Sequence, residues 1–361
     1  MASDAQVPAK RFINLERLVR PALAVLVAAF VLWRLWDVVM VQKAYGGDTW
    51  VRFAISGLIL GGVYAVIALG YTLVYGILFM INFAHGDVMM LGAFAGYFTL
   101  EAFKSTGVLD ASLFSGILAV VAAFAVGMGS ASLIAVNLER IAYRPLRTAP
   151  RLVPLISAIG ASLVLQNAAQ LMFGAARHTY ANPAILDRNA GWQVMISGKP
   201  VLVSYTGVLT FVMSILLMVG LYVLVQRTKI GKAMRAVAED KQAAALMGID
   251  VNRVISSTFV ISGALAGAAG VMWGLHMGII YHYVGFLPGI KAFTAAVLGG
   301  IGNIPGAMLG GIALGVMEAL GPAVLGLPFQ LKDVLAFSIL VLVLIFRPTG
   351  LLGEVLARKK A

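Results

Sequence analysis

The chain of 361 residues contains no cysteine and only 4 histidines. The missing thiols exclude a disulfide scaffold, a thiolate metal centre and a cysteine nucleophile, while leaving the compartment open. Charge is scarce as well. Asp, Glu, Lys and Arg make up 12% of the residues, against about 25% in an average soluble domain. Acidic residues are the rarer sign, 15 against 27 basic ones. The phosphate-cradling pattern Gly-x-x-x-x-Gly-Lys-[Ser/Thr] does not occur, so any ATP must be hydrolysed by another polypeptide. No His/Glu spacing resembles a metal site and no hydrolytic triad can be assembled. The chain therefore reads as having no catalytic residues of its own.

Apolar sequence is what the chain has in excess. Hydrophobic residues reach 61% and the mean hydropathy is +0.94, which makes this an integral membrane protein. Glycine, at 40 residues, fits transmembrane helices that pack closely through small side chains. Basic residues cluster at Lys10, Arg11, Arg17 and Arg20, and around Arg140, Arg144, Arg147 and Arg151. They recur in a hydrophilic island from Gln226 to Arg253 and at Arg358, Lys359 and Lys360. Scattered between apolar runs, these clusters mark cytoplasmic segments and do not form the single basic face of a nucleic-acid-binding protein.

A bilayer core of about 30 Å takes roughly 20 apolar helical residues. Spans are expected near Pro21–Met40, Phe53–Leu78, Gly86–Phe103, Ser112–Val136, Leu152–Gly174, Tyr205–Val225, Ile255–Leu275 and Val334–Phe346. The first is read as a retained span with Arg34 snorkelling to the interface. Parity of the basic segments then requires Ala292–Leu320 to dip in and return. Its middle holds Gly299, Gly300, Gly302, Pro305, Gly306, Gly310 and Gly311, poor helix formers. Two short halves, broken or re-entrant, are expected there, each too short to cross alone. The fold class is thus all-α, a polytopic permease of eight to ten spans. Residues 1–52 read as an N-terminal extension with one additional span, and 53–361 as the transmembrane domain, with a cytoplasmic loop at 226–254. Ala175–Ser204 is the one sizeable external segment.

Three stretches carry a family resemblance. They are Tyr71–Gly76 running into Ile81-Asn82-Phe83-Ala84-His85-Gly86-Asp87, the island with Ala238-Glu239-Asp240 and Leu246-Met247-Gly248-Ile249, and Lys291–Ala307. With Arg347-Pro348-Thr349-Gly350 they resemble the inner-membrane permeases of high-affinity branched-chain amino-acid ABC transporters. That resemblance implies a bacterial inner-membrane location, a second homologous permease, two cytoplasmic ATPase subunits and a periplasmic leucine/isoleucine/valine-binding protein. It implies no cofactor, ATP being used by the separate ATPase. Gln242-Ala243-Ala244, followed by Gly248, resembles the Glu-Ala-Ala…Gly coupling loop of ABC importer permeases, with Gln242 in place of the glutamate. Glu239, Gln242, Ala243, Ala244 and Gly248 are therefore the expected ATPase-coupling residues. Physically, the alanines favour helix and Gly248 suits a left-handed C-terminal turn.

Candidate pathway or gating residues are Asn82, His85, Asp87, Gly302, Asn303, Pro305, Gly306 and Glu318. Ionisable groups within a membrane face a cavity or a partner. His85 and Asp87 suit gating, mutual pairing, proton relay or plain helix capping. Glu318 is placed near the external mouth. Asn82 before Gly86 and Asn303 before Gly306 form a weak internal echo of the kind seen in repeat-built transporters, and close packing by glycine explains it equally well. Urea, short amides and other amino acids are alternative substrates within the family. A proton-coupled secondary transporter using Asp87, His85 and Glu318 is the rival from another class.

Overall fold

The computed structural model describes residues 25–26, 29–41, 45–147, 149–150, 152–347 and 349–353. The terminal basic clusters, Arg151, and part of the span expected at Pro21–Met40 lie outside the described residues.

Helix α1 covers residues 29–41, its last turn (Asp37–Val41) being π-helical. Then come α2 (Gly47–Leu78), α3 (His85–Ser105), α4 (Leu113–Leu138) and α5 (Leu152–Phe173). A π turn, Glu139–Tyr143, extends α4. After a segment of about thirty residues follow α6 (Tyr205–Arg227), α7 (Lys229–Glu239), α8 (Lys241–Leu246) and α9 (Val251–Met277). Last are α10 (Phe286–Gly299), α11 (Ile304–Leu325) and α12 (Lys332–Phe346). Among the described residues, seven helical segments are long and apolar enough to cross a membrane. Adding α3, the 14-residue α10 and α1 brings the count to the eight to ten expected.

Glycine sets how close the helices come. A side chain at Gly57 or Gly61 of α2, or at Gly311 or Gly315 of α11, would collide with the facing backbone. The two antiparallel helices thus share a small-residue seam. Gly92, Gly127 and Gly267 do the same for α3, α4 and α9. Helix α2 lies between these groups, packed on α9 as well as on α11.

Of the two short halves expected in Ala292–Leu320 only the first, α10, is short, and a further discontinuity lies before α3. His85 sits against Gly70 of α2, where Ser262 of α9 also approaches. Ser262 is eleven residues past Val251, so α3 starts roughly 16 Å along α9 at 1.5 Å per residue. The chain leaves α2 at Phe79, in a left-handed conformation with φ 55°, and climbs back through residues 80–84. Gly285, which precedes α10, packs on Gly86, so α10 starts at the same depth and descends about 21 Å. The discontinuous elements are therefore the start of α3 and the whole of α10. Helix α11, expected as a second short half, is a full 22-residue span. Its glycines are contact points on α2 and α10 rather than breaks.

The segment between α5 and α6 folds into a hairpin, β2 (Gly191–Ile196) with β3 (Lys199–Ser204), pairing Trp192 with Val203. A second pair joins β1 (His178–Thr179) to β4 (Ile279–Ile280). Arg34 bonds Asp37 at 2.7 Å and reaches the Leu325 carbonyl at 3.4 Å. It thereby caps the carbonyl end of α11, a more specific role than snorkelling.

Candidate functional site

The hydrophilic island forms two short helices at an angle, not one. Thr228 caps α7 by accepting from the Gly231 amide at 3.1 Å. Gly231, Met234 and Val237 form its buried stripe, and Arg235 bonds back to the Val225 carbonyl at the end of α6. Asp240 then breaks the helix and caps α8, accepting from the Gln242 and Ala243 amides at 2.8 and 3.0 Å. Helix α8 ends in a Schellman turn: Ile249 N–H donates to Ala244 O and Gly248 N–H to Ala245 O, with Gly248 at φ 82°. A β-carbon at Gly248 would meet nothing in this chain.

Glu239, Gln242, Ala243 and Gly248 are exposed. Ala244 is not: at 4% exposure it packs inward, so it supports the knob from below rather than contributing to its outer face. Two residues outside the expected coupling set stand at the tip, Leu246 at 89% and Met247 at 83% exposed. Beside them a groove runs between α7 and the start of α9, lined by Ile230, Ala233, Ile249, Asp250, Arg253 and Val254.

Within the bundle, the candidate pathway residues fall into three groups. Asp87 is buried, and its carboxylate turns away from its own helix to α5, accepting from Ser162 and, at 2.9 Å, from Gln166. His85 packs edge-on against Tyr71, ring centroids 4.8 Å apart. His85 and Asp87 thus neither pair with each other nor cap α3, whose N-cap residue is Ala84. Asn82 accepts from the Tyr143 hydroxyl at 2.6 Å, holding the climbing loop against the π turn after α4.

Glu318, late in α11, is buried in an ion cluster with the start of α12. Lys291 of α10 bonds it at 2.8 Å and reaches Asp333 of α12 at 2.5 Å. Tyr64 of α2 donates to Glu318 at 3.0 Å, and Lys332 stands 3.6 Å away. Four helices therefore converge on one carboxylate. Lys291 was legible as the lone cation in the apolar stretch Phe286–Gly299, and a buried ammonium demands a carboxylate partner.

Gly302 and Asn303 lie in the turn between α10 and α11, and Pro305 and Gly306 in the first turn of α11. Asn303 caps α11 by accepting from Gly306 N–H at 3.0 Å and donates to Leu352 O at 2.8 Å. Gly306 packs on Gly299. Residues 349–353 fold onto this turn through Leu351 N–H to Leu298 O and Leu352 N–H to Gly299 O. Asn82 and Asn303 thus hold different partners, and the echo between them does not extend to their bonding. Among the described residues no cluster of three or more His, Asp or Glu is arranged to hold a metal ion.

Comparison with known proteins places this architecture. Residues 53–344 match the family described as branched-chain amino acid transport system, permease component. The permease protein BraD of the high-affinity branched-chain amino acid transport system of Pseudomonas aeruginosa is 49% identical over 300 residues, 83% of this chain and 94% of that protein. LivH of Escherichia coli, of the same description, is 44% identical with the same coverage. A probable branched-chain amino acid transport permease, LivH of Methanocaldococcus jannaschii, is 30% identical over 82% of this chain and 91% of that protein. No solved structure matches the chain. With its helices, its short re-entrant elements and its matched length, the chain is a multi-pass membrane transport protein and belongs to the family of branched-chain amino acid transport system permease components.

Proposed function

We propose that this chain is one permease subunit of a binding-protein-dependent ABC importer of leucine, isoleucine and valine in a bacterial inner membrane. The observation that carries this reading is 49% identity to a high-affinity branched-chain permease over 94% of that protein's length. A second homologous permease completes the translocation path, two cytoplasmic ATPases supply the energy, and a periplasmic binding protein delivers the substrate. Residues 53–361 are the transport domain, and 1–52 an extension that precedes the family match.

The α7–α8 knob is the ATPase-docking element. Glu239, Gln242, Ala243 and Gly248 lie on its surface, and the exposed Leu246 and Met247 give it the apolar tip that a partner groove would bury. Exposed apolar residues of this size on a charged cytoplasmic segment mark a contact surface. The seam between α3 and α5, with Asp87, Ser162 and Gln166, is the polar part of the path. Asn82 and His85 shape the start of α3 beside it, and the turn at Gly302–Gly306 with Glu318 fixes α10 and α11.

Complementation tests the substrate assignment. In a bacterium lacking its own high-affinity branched-chain permease, co-expression of this chain with its partner subunits is expected to restore leucine uptake from micromolar medium. Uptake of urea or short amides in place of leucine would reassign the substrate.

A further inference from the structure

The structure holds a further buried carboxylate that none of the readings above uses. Glu139 ends α4 at the point where the helix widens into a π turn, and it is fully buried. Both of its oxygens are engaged. Arg147, in the connector to α5, bonds Oε1, and Ser256 of α9 donates to Oε2 at 3.0 Å. The Arg147 guanidinium is forked, and its other amino group donates to Asn252 of α9 at 2.6 Å.

Three backbone segments thus meet on one ion pair: the end of α4, the approach to α5 and the first two turns of α9. Asn252 lies only six residues beyond Leu246, across the Schellman turn. Lys241 of α8 is near enough that burial and the positive charge of Arg147 together depress its pKa. On the other side, Ser157 of α5 donates to the Ala142 carbonyl in the π turn at 3.2 Å. Half of α5 beyond this point is exposed, and its next polar tie to the bundle is the Asp87 contact with Ser162 and Gln166.

We infer that the Glu139–Arg147–Asn252 fork is the relay that converts movement of the α7–α8 knob into movement of α4 and α5. This inference rests on the docking role proposed for the knob. Glu139 and Arg147 are positioning residues: they touch neither nucleotide nor substrate, and act by making the base of α9 and the base of α5 move as one. The fork matters as much as the charge. A guanidinium bridges two acceptors in fixed geometry, which the point charge of a lysine does not reproduce.

The test uses the complete transporter in proteoliposomes, with three readouts: ATPase co-purification, ATP hydrolysis and leucine imported per ATP. Glu139→Gln and Arg147→Lys are expected to keep the ATPase bound and hydrolysing while import per ATP falls about tenfold, within the usual range of coupling between sites. Asn252→Ala, at an exposed position, should lower the same ratio with the buried pair intact, and it decides the question should a variant at Glu139 fail to fold. A mere structural staple would be rescued by Arg147→Lys. Unchanged import per ATP in Arg147→Lys and Asn252→Ala would overturn the relay. Gly248→Asp separates the two levels: if it leaves ATPase binding and import normal, the docking reading itself fails, whatever the relay variants do.

Discussion

At the scale of single residues, Glu318 is the side chain whose loss the bundle should feel most. It takes Lys291 and Tyr64 while buried at 3% exposure. Removing one partner of a buried ion pair typically costs about 3–5 kcal/mol, whereas replacing both by apolar groups is often nearly neutral. Glu318→Ala is therefore expected to lower the thermal unfolding midpoint of the detergent-solubilised protein sharply. The double variant Lys291→Met with Glu318→Leu should recover most of that loss, because Asp333 keeps partial solvent access and Lys332 beside it. Equal midpoints for the single and double variants would show that the pair does not act as a unit. Sequence alone identified Glu318 as an intramembrane carboxylate but not its partner. Lys291 and Glu318 lie 27 positions apart on helices whose lengths had been misjudged, and contact across a helical hairpin depends on register. Asp87 was likewise recognisable as costly to bury, while Ser162 and Gln166 carry no signal of their own among the other polar residues of α5.

Among the elements, α10 and α11 show best where reading glycine as a breaker fails. Gly310 and Gly311 lie inside α11, against α10 and α2, where tertiary packing outweighs their low helix propensity. Gly311→Leu should consequently force α2 and α11 apart and destabilise the protein by roughly 1–3 kcal/mol or more, the usual scale of overpacking. Gly160→Leu, at a position with open space beside it, serves as the control and should leave the unfolding midpoint nearly unchanged. The island was the most legible element. Its helix-forming alanines and the left-handed turn at Gly248 follow from local chemistry, and the turn forms as that chemistry requires. The break at Asp240 and the exposed Leu246–Met247 tip were missed because capping by Asp240 competes with helix continuation. Gly248→Asp strains the left-handed turn at φ 82° on the surface, where its β-carbon meets no other atom; it is expected to leave the subunit in the membrane and to abolish transport by placing a charge in the docking surface. Normal uptake by that variant would contradict the role of the knob.

For the whole molecule, composition alone identified a membrane protein, and the basic clusters predict its orientation. The hairpin before α6 and the depth at which α3 and α10 start lay beyond reach, because both depend on which helices pack together. Since the chain has no cysteine, single cysteines report sidedness directly. Arg144→Cys and Arg235→Cys, at exposed positions, should react with impermeant maleimide only from the cytoplasmic side, and Trp192→Cys only from outside. Labelling of position 192 from the cytoplasm would invert the orientation. The central claim is that this permease moves an amino acid only when a separate ATPase drives it. The most direct test is leucine uptake into proteoliposomes holding the chain with its second permease and ATPases, with loaded binding protein outside and ATP inside. The account predicts uptake that requires both ATP and binding protein and that an imposed pH gradient cannot replace. Leucine accumulation by this chain alone, driven by that gradient, would contradict it.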